Sequence, residues 1–342
     1  MCYAVRYTFT SITFQYGDTF IVSYVFWLSR IGFAPIEINN YKAGRITDFK
    51  QYTWQKGLTQ DYNLSLSGSS DAVSYYWSLG YTDNEGIRYN EEFSSIRSRI
   101  NLEATVNDWL KVGLNTQMAF RDESPISPGN SLFNTPYSSM FEEDGKTLVI
   151  TPSGYINAPN FWLELTYRNR FRKYNTLNSK IYATVTLPLG FTFTSEFIPR
   201  YNWNRDYNTY SSGHFEWALQ GGRASRANTT IFEWQINNIL KWNKTFGDHN
   251  FDATFVQNAE KYNYWYDYME RKNFQPSDIL GYHRMQAATE DVSLTSDDQV
   301  STGDALLARL NYTFKSRYNL TGSFRRDGYS AFGQANPRAN FY

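Results

Sequence analysis

Residues 96–121 alternate apolar and polar side chains along two runs that flank a turn at Val106–Trp109. In the first run Ile96, Ile100, Leu102 and Ala104 share one face, against Arg97, Arg99, Asn101 and Glu103 on the other. In the second, Leu110, Val112, Leu114, Met118 and Phe120 oppose Lys111, Asn115, Gln117 and Arg121. A period of two is the signature of a strand with one apolar and one wet face. Each run is long enough for a tilted strand to cross a bilayer, which takes roughly 9–11 residues. Full charges on the wet face separate this pair from a sandwich interior and point to the wall of a membrane β-barrel.

Composition agrees with that reading. Aromatic residues make up 18% of the chain, with 28 Tyr, 25 Phe and 10 Trp, and Tyr and Trp are the residues that membrane interfaces collect. A negative mean hydropathy excludes a bundle of transmembrane helices, whereas alternation conceals the apolar band of a barrel from any sliding average. The balance of 33 basic and 33 acidic residues argues against a nucleic-acid partner. Cys2 is the single cysteine, so there is neither an internal disulfide nor a thiolate metal site. His214, His249 and His283 lie too far apart in sequence to suggest a ligand set. The apolar stretch Phe20–Leu28 is too short to span as a helix. With only Arg6 before it and no clear small-residue cleavage site after it, it does not read as a signal peptide.

The pattern predicts about ten strands in an antiparallel meander. Strands are expected at 59–67, 74–82, either side of Val106–Trp109, and at 176–187, 191–204, 229–242, 250–259, 303–314 and 318–326. The connections between them alternate short and long. Segments 83–95, 122–175, 205–228 and 260–302 read as polar connections, and the turns at 68–73, 188–190, 243–248 and 315–317 as tight ones. Outer-membrane barrels show this asymmetry, with short periplasmic turns and extended extracellular loops. Residues 1–46 are less legible, with aromatic alternation at Tyr3, Val5, Tyr7 and Phe9 but no clean hairpin.

Three stretches resemble the SusC/RagA-type TonB-dependent outer-membrane transporters of Bacteroidota. The first is Tyr62-Asn63-Leu64-Ser65-Leu66-Ser67-Gly68, continuing to Tyr75-Tyr76-Trp77-Ser78-Leu79-Gly80-Tyr81 and Asn84-Glu85-Gly86-Ile87. The second is Arg99-Ile100-Asn101-Leu102 with Asn107-Asp108-Trp109-Leu110-Lys111-Val112-Gly113. The third is Arg309-Leu310-Asn311-Tyr312-Thr313-Phe314, then Tyr318-Asn319-Leu320-Thr321 and Arg325-Arg326-Asp327-Gly328-Tyr329-Ser330-Ala331-Phe332-Gly333. In that last motif the family usually has Arg where this chain has Ala331. The ordered set covers residues 47–342, while residues 1–46 fall outside it as a divergent barrel segment or a misassigned start. The resemblance implies a transmembrane barrel of about 22 strands around a plug, of which this chain is expected to be an internal fragment holding about half. It also implies import of oligosaccharide or peptide, a SusD-like surface lipoprotein, TonB as the driving partner and outer-membrane lipid around the wall.

Within that frame Arg97, Arg99, Glu103, Lys111, Arg121, Glu233 and Lys241 are expected to face the lumen, lining a translocation path or simply a hydrated wall. Aromatics of the long segments, namely Tyr155, Phe161, Trp162, Tyr167, Tyr264, Trp265, Tyr266 and Tyr268, are candidates to stack on sugar or to contact a lipoprotein, or to pack the loops. The acidic groups Glu142-Glu143-Asp144, Glu290-Asp291 and Asp297-Asp298 lack EF-hand spacing and read as solvated loop residues rather than calcium ligands. No nucleophile elbow, phosphate-binding glycine loop or carboxylate pair stands out, so no catalytic residue and no cofactor is expected. The rival readings are a non-transport barrel of adhesin or porin type and a soluble, aromatic-rich glycan-binding β protein. A charge-free lipid-facing band separates the barrel from the soluble alternative.

Overall fold

The computed structural model describes residues 24–129, 134–333 and 337–342. Three helices come first: α1 (Tyr24–Arg30), α2 (Pro35–Ala43) and α3 (Lys50–Thr53). Four strands follow, β1 (Leu58–Ser69), β2 (Val73–Glu85), β3 (Glu92–Asn107) and β4 (Leu110–Asp122). After α4 (Leu163–Tyr167) come β5 (Arg168–Thr186), β6 (Phe191–Tyr210), β7 (Arg223–Phe246), β8 (His249–Phe274), β9 (Ala288–Phe314), β10 (Tyr318–Tyr329) and β11 (Arg338–Phe341). All eleven strands form one sheet in sequence order, each antiparallel to the next. The sheet is an open up-and-down arc, in which β1 and β11 are the two edges.

Short turns gather at one end and long connections at the other. Residues 70–72, 108–109, 187–190, 247–248 and 315–317 close the short end, and 86–91, 123–167, 211–222, 275–287 and 330–337 cross the long end. In the turn at 108–109 the Asn107 carboxamide oxygen accepts the backbone N–H groups of Trp109 and Leu110, at 3.1 and 2.9 Å. An Asx contact of this kind replaces the hydrogen bonds that the reversing chain cannot make with itself. Gly247 takes the position of positive φ (56°) between β7 and β8, which glycine adopts without steric cost.

Several details of the structure differ from the sequence expectations. The strands β7, β8 and β9 run for 24, 26 and 27 residues, more than twice what a bilayer crossing takes. Much of 205–228 and 260–302 is therefore strand rather than connection. Tyr264, Trp265 and Tyr266 accordingly lie in β8 and not in a loop, and β5 starts at Arg168, inside the expected long segment. Residues 24–43, expected to be part of a divergent barrel segment or a misassigned start, form helices α1 and α2, and β11 adds an eleventh strand to the ten expected. The alternation at Tyr3, Val5, Tyr7 and Phe9 lies outside the described residues.

Helices α1 to α3 enter β1 from its long-loop end and pack on the 123–167 connection. The Asn40 carboxamide donates to the Tyr137 carbonyl (2.7 Å) and the Ser139 hydroxyl (2.8 Å). The Thr47 N–H donates to the Pro136 carbonyl at 2.7 Å. A second small core covers the opposite half of the same rim, where Tyr282 and Met285 of the 275–287 connection bury against Tyr207, Ala224, Phe274 and Ala288. Both long connections thus have cores of their own.

Candidate functional site: the two faces of the wall

Residues opposite one another in an antiparallel pair share a face, so the registers carry one face across the whole sheet. Arg99 faces Gln117, then Asn178, Arg200, Glu233, Tyr262 and Ser301 in turn on successive strands. The same bookkeeping places Arg97, Arg99, Glu103, Lys111, Arg121, Glu233 and Lys241 on one face.

The other face is apolar over a continuous band. It runs through Tyr75–Tyr81 on β2, Ile96–Ala104 on β3, Leu110–Phe120 on β4 and Leu177–Val185 on β5. It continues through Phe191–Trp203 on β6, Phe232–Trp242 on β7, Phe251–Ala259 on β8, Leu306–Phe314 on β9 and Tyr318–Phe324 on β10. At the alternate positions that face outward, these spans contain no Asp, Glu, Lys or Arg. Charge resumes above the band in one register row, where Asp83, Asp122, Lys173 and Arg205 succeed one another through Ser94. On β8, β9 and β10 it resumes at Lys261, Asp304 and Arg326, and Lys244 marks the lower edge. The upper margin is level from β2 to β6 and then steps down the register across β8, β9 and β10, a stagger of the kind that a tilted strand array requires.

Aromatic rings mark both margins, as girdles do in outer-membrane barrels. At the short-turn end Trp242 stands near Phe251 (6.3 Å between centroids), and its indole N–H donates to the Leu189 carbonyl at 3.1 Å. At the upper margin Phe120 meets Trp203 edge-on at 6.0 Å. The few polar side chains inside the band satisfy each other across strands. Ser195 donates to Asn238 (2.8 Å), Asn238 to Gln257 (2.6 Å), and Thr116 shares a hydrogen bond with Ser179 (2.7 Å). Pairing is what polar groups need where lipid offers no partners.

The opposite face is wet and largely ion-paired. Arg97 reaches both Asp61 and Thr82 at 2.8 Å, Arg200 lies 3.3 Å from Glu233, and Arg121 pairs with Glu123. Lys111 stands 3.9 Å from Glu103, whose other oxygen accepts the Tyr182 hydroxyl at 2.7 Å. Arg99 leans on Asn101 at 3.4 Å, and Lys241 makes no ion pair among the described residues. Exposed pairs such as these contribute little to stability; their effect is to keep this face hydrated.

Sequence reasoning missed how the Tyr182 ring is seated. It lies across Gly113, where an added Cβ would meet ring atoms 2.2–2.4 Å away. Gly113→Val should therefore expel the ring from Glu103 and cost about 1–3 kcal/mol by overpacking. Thermal unfolding in detergent would measure it, and on a Tyr182→Ala background the added cost should largely vanish.

The aromatic candidates separate by environment. Trp162 is held inside the cap, its indole N–H donating to the Tyr52 carbonyl at 2.8 Å and its ring stacked on Tyr89 at 5.3 Å, so it packs the loop. Phe161 is buried. Tyr155 is exposed, with its hydroxyl donating to the Gly32 carbonyl at 2.6 Å. On β8 the register puts Tyr264 and Tyr266 on the wet face and Trp265 on the outward one, opposite Thr230 and Asp298. Of the acidic groups, Asp144 organises its own turn by accepting the N–H groups of Lys146 and Thr147, both at 2.8 Å. Glu290 and Asp291 pair with Lys272 and Arg271.

A further titratable cluster escaped the sequence reading because Glu164 and His214 lie 50 residues apart in the chain. Glu164 of α4 contacts Arg168 at 3.0 Å and the buried His214 at 3.4 Å, and Arg168 lies 4.9 Å over the Tyr210 ring. Burial pushes the Glu164 carboxyl up, but hydrogen bonds from His214 and Arg168 outweigh it and hold the group below its ordinary value of 4.5. A carboxylate lowered on folding stabilises in full above its unfolded pKa, and that stability is lost as pH falls through the folded value. Hydrogen exchange of residues 211–217, corrected for intrinsic rates, should accelerate below about pH 4.3. Glu164→Gln should flatten that dependence.

An open antiparallel arc with a charge-free outward band, a charged inward face and long loops at one end defines a stretch of a large outer-membrane-type β-barrel. No protein-family model matches the chain. It is 26% identical to TonB-dependent receptor P39 of Formosa agariphila, over 86% of this chain and 28% of that protein. It is 21% identical to TonB-dependent receptor SusC of Bacteroides thetaiotaomicron, over 86% of this chain and 31% of that protein. Among solved structures it superposes on the RagAB peptide transporter with a TM-score of 0.74 and 20% identity, covering 90% of this chain and 35% of that one. The chain is thus SusC/RagA-like over most of its length. It spans less than a third of the length of the curated relatives it matches.

Proposed function

We propose that the complete protein is a TonB-dependent importer of the outer membrane. It takes up oligosaccharide or peptide with the help of a SusD-like surface lipoprotein. The observation that carries this reading is the outward band free of charge over nine consecutive strands, backed by an inward face of charged and amide side chains. A soluble glycan-binding sheet has no reason to exclude charge from one face over that height. The resemblance to SusC and the fold shared with RagAB support import over an adhesive or porin-like role. In this reading the inward charges form a hydrated wall, and Tyr155 and the inward β8 tyrosines are the aromatic groups available to cargo.

The test is growth of the source bacterium on complex nutrient mixtures. Strains lacking the intact gene or TonB should show the same selective growth defect, and the protein should fractionate with outer membranes. Growth indifferent to TonB, or extraction into buffer without detergent, would refute the proposal. Affinity purification should recover a surface lipoprotein encoded beside the gene.

A further inference from the structure

Four tyrosines, Tyr262, Tyr264, Tyr266 and Tyr268, occupy successive inward positions of β8. The rings of Tyr264 and Tyr266 lie 6.4 Å apart at 15°, and those of Tyr266 and Tyr268 lie 6.5 Å apart at 3°. Tyr268 is tied down, donating to Glu270, which Arg223 also holds. The hydroxyls of Tyr262, Tyr264 and Tyr266 have no hydrogen-bond partner among the described residues. Two strands away, at the same registers, stand Asn202 and Asn204, also without partners. Between the two rows lie Ile231 and Thr229. The rows therefore stand about 9–10 Å apart on the wet face, two inter-strand spacings. At their foot, below Tyr262, opens a groove of about 550 Å³ lined by Arg200, Glu233, Gln235, Glu260 and Ser301.

We propose that this tyrosine-and-asparagine surface of the inner wall is a binding track for a neutral oligosaccharide, a location that rests on the import reading above. The reasoning is one of chemical fit. Asn, Thr and Tyr side chains both donate and accept hydrogen bonds, as sugar hydroxyls do, and aromatic rings give the C–H faces of a sugar something to pack on. A peptide binding by strand addition needs a free sheet edge, and here the backbones of β6 to β9 are paired to neighbours on both sides. The charge of the track selects against acidic sugars. Arg200 is neutralised by Glu233, Glu260 has no ion-pair partner among the described residues, and Asp297 beside Tyr266 accepts only from Gln299. Gly303 leaves room for the Glu260 carboxylate, whose oxygen would lie 2.7 Å from a Cβ at that position.

The test is calorimetric titration of the full-length receptor in detergent with neutral hexasaccharides (maltohexaose, cellohexaose), an oligogalacturonate and a tryptic digest of casein. At least one neutral hexasaccharide should bind, and Tyr264→Ala/Tyr266→Ala should weaken it by at least about tenfold, as truncation of an aromatic anchor does. Asn202→Ala/Asn204→Ala, which breaks no internal hydrogen bond and so should fold normally, should weaken it several-fold. Trp265→Phe, on the outward face of the same strand, should leave it unchanged. The proposal is overturned if no neutral hexasaccharide binds, if binding ignores both double variants, or if the oligogalacturonate or the peptides are the ligands whose affinity depends on these residues. Sugar binding through the tyrosines in a receptor indifferent to TonB would uphold the track and sink the import reading; TonB-dependent uptake with no such binding would do the reverse.

Discussion

Ile236→Arg should destabilise the barrel by about 2–4 kcal/mol, the cost of a basic side chain facing lipid near the bilayer midplane. Ile236 stands mid-band on β7, between Phe197 and Ala259 on the outward face. Its neighbour Asn237 faces inward, where its carboxamide oxygen accepts from Asn258 at 2.9 Å, and Asn237→Arg should cost only about 0.5–1.5 kcal/mol, the loss of that hydrogen bond on a hydrated face. Folding of the full-length receptor into vesicles, followed by the heat-modifiable mobility of the folded barrel, would measure both. Equal effects at the two positions would mean that neither face meets lipid and would undo the membrane assignment. The comparison is demanding because the residues are adjacent and only their direction differs.

Glu37→Leu should release the helical cap while leaving the strands in place. Glu37 is 1% exposed, and its carboxylate accepts the Ala34 N–H at 2.9 Å, the Thr135 hydroxyl at 2.6 Å and the Ser138 hydroxyl at 3.1 Å. Leucine would orphan three donors in a buried site, each at about 1–3 kcal/mol, so a local loss on the order of 3–5 kcal/mol is expected. Limited proteolysis should cut 134–160 much faster in the variant, with barrel melting unmoved. Glu37→Gln, which keeps an acceptor oxygen, should lie between. Loss of the barrel along with the cap would show that the two fold as one unit.

The membrane-spanning part of each strand was legible because two solvents act on its two faces. Lipid demands an apolar residue at every second position and water permits a polar one between, so Leu110–Arg121 can be read directly. Above the membrane both faces meet water and the alternation fades. The stretches 205–210, 223–228 and 260–274 thus look like loops although they continue the ladder. Their strand character comes from neighbours in register, a property of the sheet rather than of the segment. Tyr264 and Tyr266 were noticed as aromatics and assigned to a loop for this reason. Once β8 is continuous, the same period of two sends them inward and Trp265 outward. The Glu164–His214–Arg168 contact and the seat of Tyr182 on Gly113 join residues from separate elements, and no local pattern announces them.

The sequence alone determined that this chain makes antiparallel strands with one apolar side, at which ends the short and long connections fall, and which charges share the face opposite the apolar band. Alternation and turn chemistry are local, and the bilayer enforces them strand by strand. Tertiary structure decided how far the strands extend, that residues 24–43 form a helical cap on the long-loop rim, and which aromatics line the inner wall. Those outcomes depend on register and on contacts between distant segments, such as Glu37 with Thr135 and Tyr282 with Tyr207, which emerge only when the whole sheet is in place.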